Sequence, residues 1–296
     1  MSAGASDVKE QPLFTRWFGR DSALSLPTRI VIGVGLVVVV VGNALLVANQ
    51  FSIMLAGYPG ADLAVYQEAA RRIWEGGLYA NDSSYLFRYS PVAAYLFAPL
   101  GLITPWTWRA LHVAGALALP TWPMRLLLLA SWPFAFDLQL GNVMTFVLLA
   151  AAWGLRGNRI GALVFLGSSL LFPRPFMLPI GAWLLWRQAW LRWPFLGMFV
   201  VHAALVVATG LGGAWLTQLF ASTREVGSVF NVGPTAVVGF WWLLIGIPLG
   251  AWFFWRGRVG LAGLAISPYL LPYYLMVALL DLPSSRQAVG EPAAAS

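Results

Sequence analysis

The feature that most constrains this chain is a succession of apolar runs with almost nothing charged inside them. A Val-rich stretch extends from Ile30 to about Ala48. Further runs cover about 91–103, 108–120, 123–136, 142–155, 160–172, 176–186, 194–210, 236–255 and 259–280. Crossing roughly 30 Å of hydrocarbon takes about 20 apolar residues in a helix. Inside a bilayer no water satisfies the backbone, so a run of this kind closes its own hydrogen bonds as a helix. Hydrophobic residues make up 59% of the sequence and charged ones 10%, against roughly 25% charged in an ordinary soluble domain. The expected fold class is therefore an all-α polytopic membrane protein with about eight to ten transmembrane helices. Several runs are too short to span alone. Pro99, Pro120, Pro123, Pro173, Pro175, Pro179, Pro248, Pro268 and Pro272 imply broken or kinked helices, tolerated where protein or a water-filled cavity covers the freed backbone groups.

The net charge of +7 is carried by short Arg clusters between apolar runs, which is a topology signal and makes no case for nucleic acid. Arg156 with Arg159, Arg187 with Arg192, and Arg256 with Arg258 should be cytoplasmic turns. This gives a cytoplasmic tail over 1–29, a transmembrane domain over 30–282 with an extracytoplasmic first loop at 50–90, and a disordered tail over 283–296. On the same parity the loop near 137–142, the Pro-Arg-Pro turn at 173–175, the stretch 211–235 and the break at Ser267-Pro268 face outward. There is no Cys, hence no disulfide framework or thiol nucleophile. His112 and His202 are isolated, and no ligand-spaced acids appear, so neither a metal nor a cofactor is implied. No internal repeat stands out.

Within the first loop, Leu63, Tyr66, Ala69, Ala70, Ile73 and Trp74 recur at three- and four-residue spacing opposite Gln67, Glu68, Arg71, Arg72 and Glu75. That spacing predicts an amphipathic helix lying on the membrane surface and ending at Gly76-Gly77. Asp62 opens this helix and suits either an N-cap or a general base at the membrane surface. Arg88 and Tyr89 precede Ser90-Pro91, where an interfacial anchor and a phosphate ligand are both reasonable. Asp137, Gln139, Gly141 and Asn142 form a polar island between apolar runs. An Asp at mid-membrane depth costs roughly 2.5 to 3.5 kcal/mol, so the island is expected to line a loop or cavity. Arg174 has no acid near it in sequence and is a functional candidate for an anionic partner. Ser267-Pro268-Tyr269 and Pro272-Tyr273-Tyr274 break the last run, either as a kink with interfacial tyrosines or as hydrogen-bonding groups.

The order of these pieces resembles a known family. ADLAVYQEAARRIWEGGLY at 61–79 is followed by FRYSPVAAYLFAPLG at 87–101, LQLGNVMTFVLL at 138–149, PRP at 173–175 and SPYLLPYY at 267–274. Together they look like the polyprenol-phosphate-sugar-dependent glycosyltransferases of the GT-C superfamily, especially the bacterial alpha-mannosyltransferase-like family. The resemblance covers about 55–282 and rests on collinear order. It implies a GT-C-type bundle, a polyprenyl-phosphate-linked sugar donor (mannose or similar), a lipid or glycan acceptor of the cell envelope, and a plasma-membrane location with the site facing outward. Asp62 would be the catalytic base. Tyr66, Arg88, Tyr89, Asp137, Gln139, Gly141, Asn142, Arg174 and Tyr269 would contact substrate. The family has Gly-Gln where this chain has Gly141-Asn142, Lys-Pro where it has Arg174-Pro175, and a His after Ser-Pro where it has Tyr269. A lipid-linked-sugar carrier or flippase, or an envelope assembly subunit, is the alternative from a different functional class.

Overall fold

The computed structural model describes residues 25–80, 87–221 and 230–282. The tail 283–296 and all but the last residues of 1–29 lie outside the described residues. The described residues fall into two compact units that divide after Ala48. Every regular element among the described residues is helical, as the apolar periodicity requires. Three helical stretches are long and apolar enough to cross a membrane: Leu26–Leu55, Ala189–Ala208 and Thr235–Trp255. The first of these, helix α1, holds the Val-rich run and leaves Val37, Val38, Val39 and Val40 exposed. A side chain of that kind is stable in the open only against lipid or another protein.

In the second unit, α2 spans Ala61–Glu75, α3 Pro91–Leu96, α4 Pro105–Leu117, α5 Trp122–Leu129, α6 Trp132–Leu140 and α7 Met144–Gly154. These are followed by α8 over Arg159–Leu171, α9 over Met177–Arg187, α10 over Arg192–Ala208 and α11 over Gly212–Ala221. The last helices are α12 at Thr235–Val238, α13 at Leu243–Trp255 and α14 at Val259–Ile266, with a 3₁₀ segment over Pro272–Asp281. Proline stands in the first turn of α3, α4, α5 and α6, where its missing N–H costs nothing. The run 123–136 is two helices, not one: Ser131 Oγ accepts from Phe134 N at 3.3 Å and starts α6. The run 259–280 divides likewise at Ser267, whose hydroxyl donates to Tyr269 O at 2.6 Å. An 11-residue helix such as α7 is about 16 Å long, half of the hydrocarbon thickness.

Helix α2 forms where the spacing predicts it and ends at Gly76, whose φ is +89°. Most of its apolar face packs on protein. Leu63 and Tyr66 are 1% and 0% exposed, covered by α3 and the 3₁₀ turn Ala98–Leu102. Aromatic rings provide the cover. Tyr66 stacks on Phe97 at 4.3 Å between centroids, and Phe97 on Phe172 at 5.7 Å. Truncating Leu63 or Tyr66 to Ala should cost about 2–5 kcal/mol. The opposite face carries the pairs Arg71–Glu68 at 2.6 Å and Arg72–Glu68 at 2.5 Å, with Arg71 also reaching Glu75. Exposed pairs of this kind are worth less than about 1 kcal/mol. Trp74, 71% exposed, is the large ring of the helix left for an interface.

Three elements of this unit share an arrangement. α7, α9 and the 3₁₀ segment 272–281 join two ends of the bundle. Met144, Phe172, Met177 and Tyr273 line a cleft at one end, while Leu155, Arg187, Val259 and Asp281 line a wider cavity at the other.

Candidate functional site

The site is built where the start of α2 lies on the end of α6. Gly60, with φ +99°, is the residue before α2, and a Cβ there would come within 2.7 Å of Leu140 O. Gly141, the left-handed cap of α6 with φ +72°, would place a Cβ 2.9 Å from Leu63 Cβ and 3.1 Å from Trp108 Cδ1. Only glycine permits both the positive φ and the close approach. Trp108 Nε1 donates to Gly141 O at 2.8 Å and fixes the turn from the α4 side.

This contact brings Asp62 to Asn142. Asp62 is the second residue of α2. It is not the N-cap, one of the two roles its position suggested: that place belongs to Gly60, and no side chain caps the helix. The carboxylate turns instead to Asn142, whose Nδ2 donates to Asp62 Oδ2 at 2.6 Å. Asn142 Oδ1 in turn accepts from Met144 N at 3.0 Å, which orients the amide and assigns its nitrogen to Asp62. Part of the Asp62 surface remains open. Burial nonetheless pushes its carboxyl up to about 6, against the opposing pull of the Asn142 hydrogen bond and the Arg174 charge. A carboxylate with that affinity takes and releases protons near neutral pH.

Arg174, at the Pro-Arg-Pro turn, donates from Nη1 to Tyr269 OH at 3.1 Å and lies 5.1 Å from the Tyr89 ring centroid. Together with Asn142 and Tyr89 it lines a narrow cleft of ≈ 280 Å³ of empty volume, closed on other sides by Phe172, Tyr273 and Tyr274. Most of that is open to solvent: the space a water-sized sphere can occupy is ≈ 20 Å³, far below the roughly 300–1,000 Å³ usual for small-molecule sites. Arg88 is partly buried beside it. Burial first, and the like charge of Arg174 second, push the Arg88 guanidinium down. An anion between the two cations would relieve that opposition.

The remaining predicted residues divide. Tyr66 OH lies 3.5 Å from Tyr89 OH behind the cleft. Asp137 does not reach the cleft. It is fully buried, and its Oδ2 accepts from Thr145 N at 3.1 Å and from Thr145 Oγ1 at 2.5 Å, satisfying the first turn of α7. Gln139 is buried in α6 and meets Gly60 through its backbone carbonyl. Both residues hold the turn instead of lining a cavity, because a helix continues through them to Leu140. Gly141 acts through its conformation.

Sequence reasoning passed over His112. Its Nδ1 lies 2.8 Å from Trp108 O, its Nε2 contacts Asn142 O, and Asp137 Oδ2 is 3.8 Å away. It thereby braces the residue that holds Asp62. Tyr273 and Tyr274, noted only within a motif, are cleft walls. A lone His in an apolar run is usually a satisfied core residue, and nothing in its spacing marks it otherwise. Among the described residues no group of three or more His, Asp or Glu is placed to hold a metal ion. The chain matches no family model, and neither a curated protein nor a solved structure matches it.

Proposed function

We propose that this protein is a membrane glycosyltransferase that moves a sugar from a polyprenyl-phosphate donor to an envelope lipid or glycan. The observation that carries the reading is the Asp62 carboxyl, raised to about 6 and hydrogen-bonded to Asn142, one residue away from a cleft that holds Arg174. A base tuned near neutrality next to a cation suits displacement of a phosphate from an anomeric carbon. The order of motifs that resembles the GT-C superfamily supports the same reading.

In this reaction Asp62 accepts the proton of the acceptor hydroxyl. The hydroxyl oxygen bonds to the anomeric carbon while the bond from that carbon to the phosphate oxygen breaks, and the electron pair leaves with the phosphate. Arg174 and Arg88 balance the charge that develops there. A single displacement inverts the anomeric centre. The walls formed by Tyr89, Phe172 and Tyr273 part to admit the sugar. In the membrane the bundle has about eight to ten crossings, some made by paired short helices, with the cleft end extracytoplasmic and the Arg-rich turns cytoplasmic.

The experiment is sugar transfer by purified protein in lipid from a panel of synthetic polyprenyl-phosphate donors, comparing wild type with Asp62→Asn. Turnover abolished in the variant at unchanged donor affinity is the expected result. Equal turnover in both forms removes Asp62 as the base. Donor binding without turnover in either form favours a lipid-linked-sugar carrier or an enzyme that has lost its activity.

A further inference from the structure

The end of the bundle opposite Asp62 holds a second cavity that sugar transfer does not use. It is an open bowl of ≈ 1460 Å³, solvent at its mouth included, and four arginines line it: Arg156, Arg187, Arg256 and Arg258. The geometry points to a binding site for a phosphate group, of the kind carried by the headgroup of an anionic membrane lipid or by a free phosphate compound.

Two turns of like build deliver these cations. Gly157, with φ +87°, follows Arg156, and Gly257, with φ +71°, follows Arg256. Asn158 N donates to Trp153 O at 3.1 Å and Arg258 N to Phe253 O at 2.8 Å, closing a six-residue cap on α7 and on α13 alike. Both turns therefore present an Arg at the same place before a left-handed Gly, and both face one cavity together with Arg187 at the end of α9. One carboxylate stands among them. Asp281 is already engaged, accepting from Gly260 N at 3.1 Å and Leu261 N at 2.7 Å at the start of α14. Among the described residues none of the four arginines makes an ion pair. Arg156 Nε is buried without a hydrogen-bond partner among them. Charges of one sign gathered in a concavity reinforce one another's field and favour an anion there. The planar fork of Arg fits phosphate oxygens in pairs, and basic recesses between membrane helices are suited to lipid headgroups.

A topology signal alone needs basic residues on one side of a membrane, without convergence. Arg159 and Arg192 belong to the same turns but do not line the bowl, which gives a control of equal charge. Full-length protein is reconstituted in phosphatidylcholine nanodiscs with and without phosphatidylglycerol, and retained lipid is counted by mass spectrometry after transfer to detergent. A thermal shift with inorganic phosphate is measured in detergent alone. The R187Q/R256Q double variant, altered at two exposed positions, is expected to bind phosphatidylglycerol at least tenfold more weakly than wild type, while R159Q/R192Q retains it. A phosphate shift that the first variant alone loses, without lipid retention, supports the site and assigns it to a free phosphate compound. Equal loss in both variants reduces the effect to surface charge and overturns the proposal, as does the absence of both lipid retention and phosphate shift in wild type. No arm depends on sugar transfer.

Discussion

Asn142 donates a 2.6 Å hydrogen bond to Asp62 across eighty positions of sequence, at the point where two helix ends meet. The bond favours the charged carboxylate, so it restrains a rise that burial drives. Asn142→Ala removes it. A hydrogen bond to a charged group is worth about 1.5–3 kcal/mol, and one unit of pKa is about 1.4 kcal/mol, so the Asp62 pKa should rise by roughly one to two units. Less base is then ionised at pH 7. In sugar transfer the acid limb of the pH–rate profile should move up by the same amount while the plateau at high pH survives; an unmoved limb would show that another group titrates.

The same carboxyl makes a statement about stability. Its folded pKa of about 6 exceeds the ordinary aspartate value of 3.8, so the folded state holds the proton more tightly than the unfolded one. The stabilisation this gives is complete below about pH 4 and is lost as pH climbs through about 6. Asp62→Asn, which is neutral throughout, should therefore raise Tm relative to wild type at pH 7.5, and the difference should vanish near pH 4. Thermal melts in detergent across that range decide it. A wild-type melt insensitive to pH would mean that water reaches the carboxylate freely.

Gly60 tests the packing that creates the site. Alanine at φ +99° incurs about 1–3 kcal/mol of backbone strain, and its Cβ would also displace the Leu140 carbonyl 2.7 Å away. Gly60→Ala should lower Tm and weaken the Asp62–Asn142 contact, with a loss of turnover. Gly197 in α10 has open space around it. There Gly197→Ala should be neutral or stabilising by up to about 1 kcal/mol. Melting and turnover of the two variants side by side separate a specific approach from a general sensitivity to helix glycines.

Much of the fold was legible because hydrophobic periodicity and proline placement are local. The limits of α2, its apolar face through Leu63 and Tyr66 and its end at Gly76 follow from spacing within one segment, whereas the protein cover over that face comes from α3 and the 3₁₀ turn Ala98–Leu102, farther along the chain. The site was legible only as a set of polar islands. Asp137 and Asn142 look alike in sequence, five residues apart in one island, yet Asp137 is still inside α6 and caps the next helix, while Asn142 lies past the left-handed turn at Gly141 and reaches the cleft. That difference depends on where a helix stops. His112 gave no signal at all, since its partners are backbone carbonyls that any sequence supplies. The paired Arg-Gly turns at 156–157 and 256–257 escaped as a repeat because the likeness is one of turn geometry over a few residues.

Arg174 should bind through both its charge and its shape. It is held by Tyr269 at 3.1 Å and stacked at 5.1 Å on Tyr89, so its planar fork is oriented before any phosphate arrives. Lysine keeps the charge but neither stacks nor offers two parallel donors. Arg174→Lys should weaken donor binding by roughly tenfold or more, whereas Tyr269→Phe, which removes a single hydrogen bond, should cost about two- to tenfold. Donor titration by fluorescence quenching of the site aromatics gives both values. If Arg174→Lys matched wild type, a point charge would suffice and the cradle of tyrosines would need another explanation.

The two ends of the bundle should face opposite sides of the membrane. α7, α9 and the 3₁₀ segment 272–281 each run from the cleft to the Arg-lined cavity, and basic turns favour the cytoplasm. Trp74 on α2 and Arg159 at the start of α8 are both exposed. Because the chain has no cysteine, a single thiol can be introduced at either position and probed in intact cells with a reagent that does not cross membranes. Trp74→Cys should label from outside, and Arg159→Cys only after the membrane is permeabilised. Labelling of both from outside would break the parity on which an outward-facing Asp62 depends, and would move the acceptor and donor chemistry to a different leaflet.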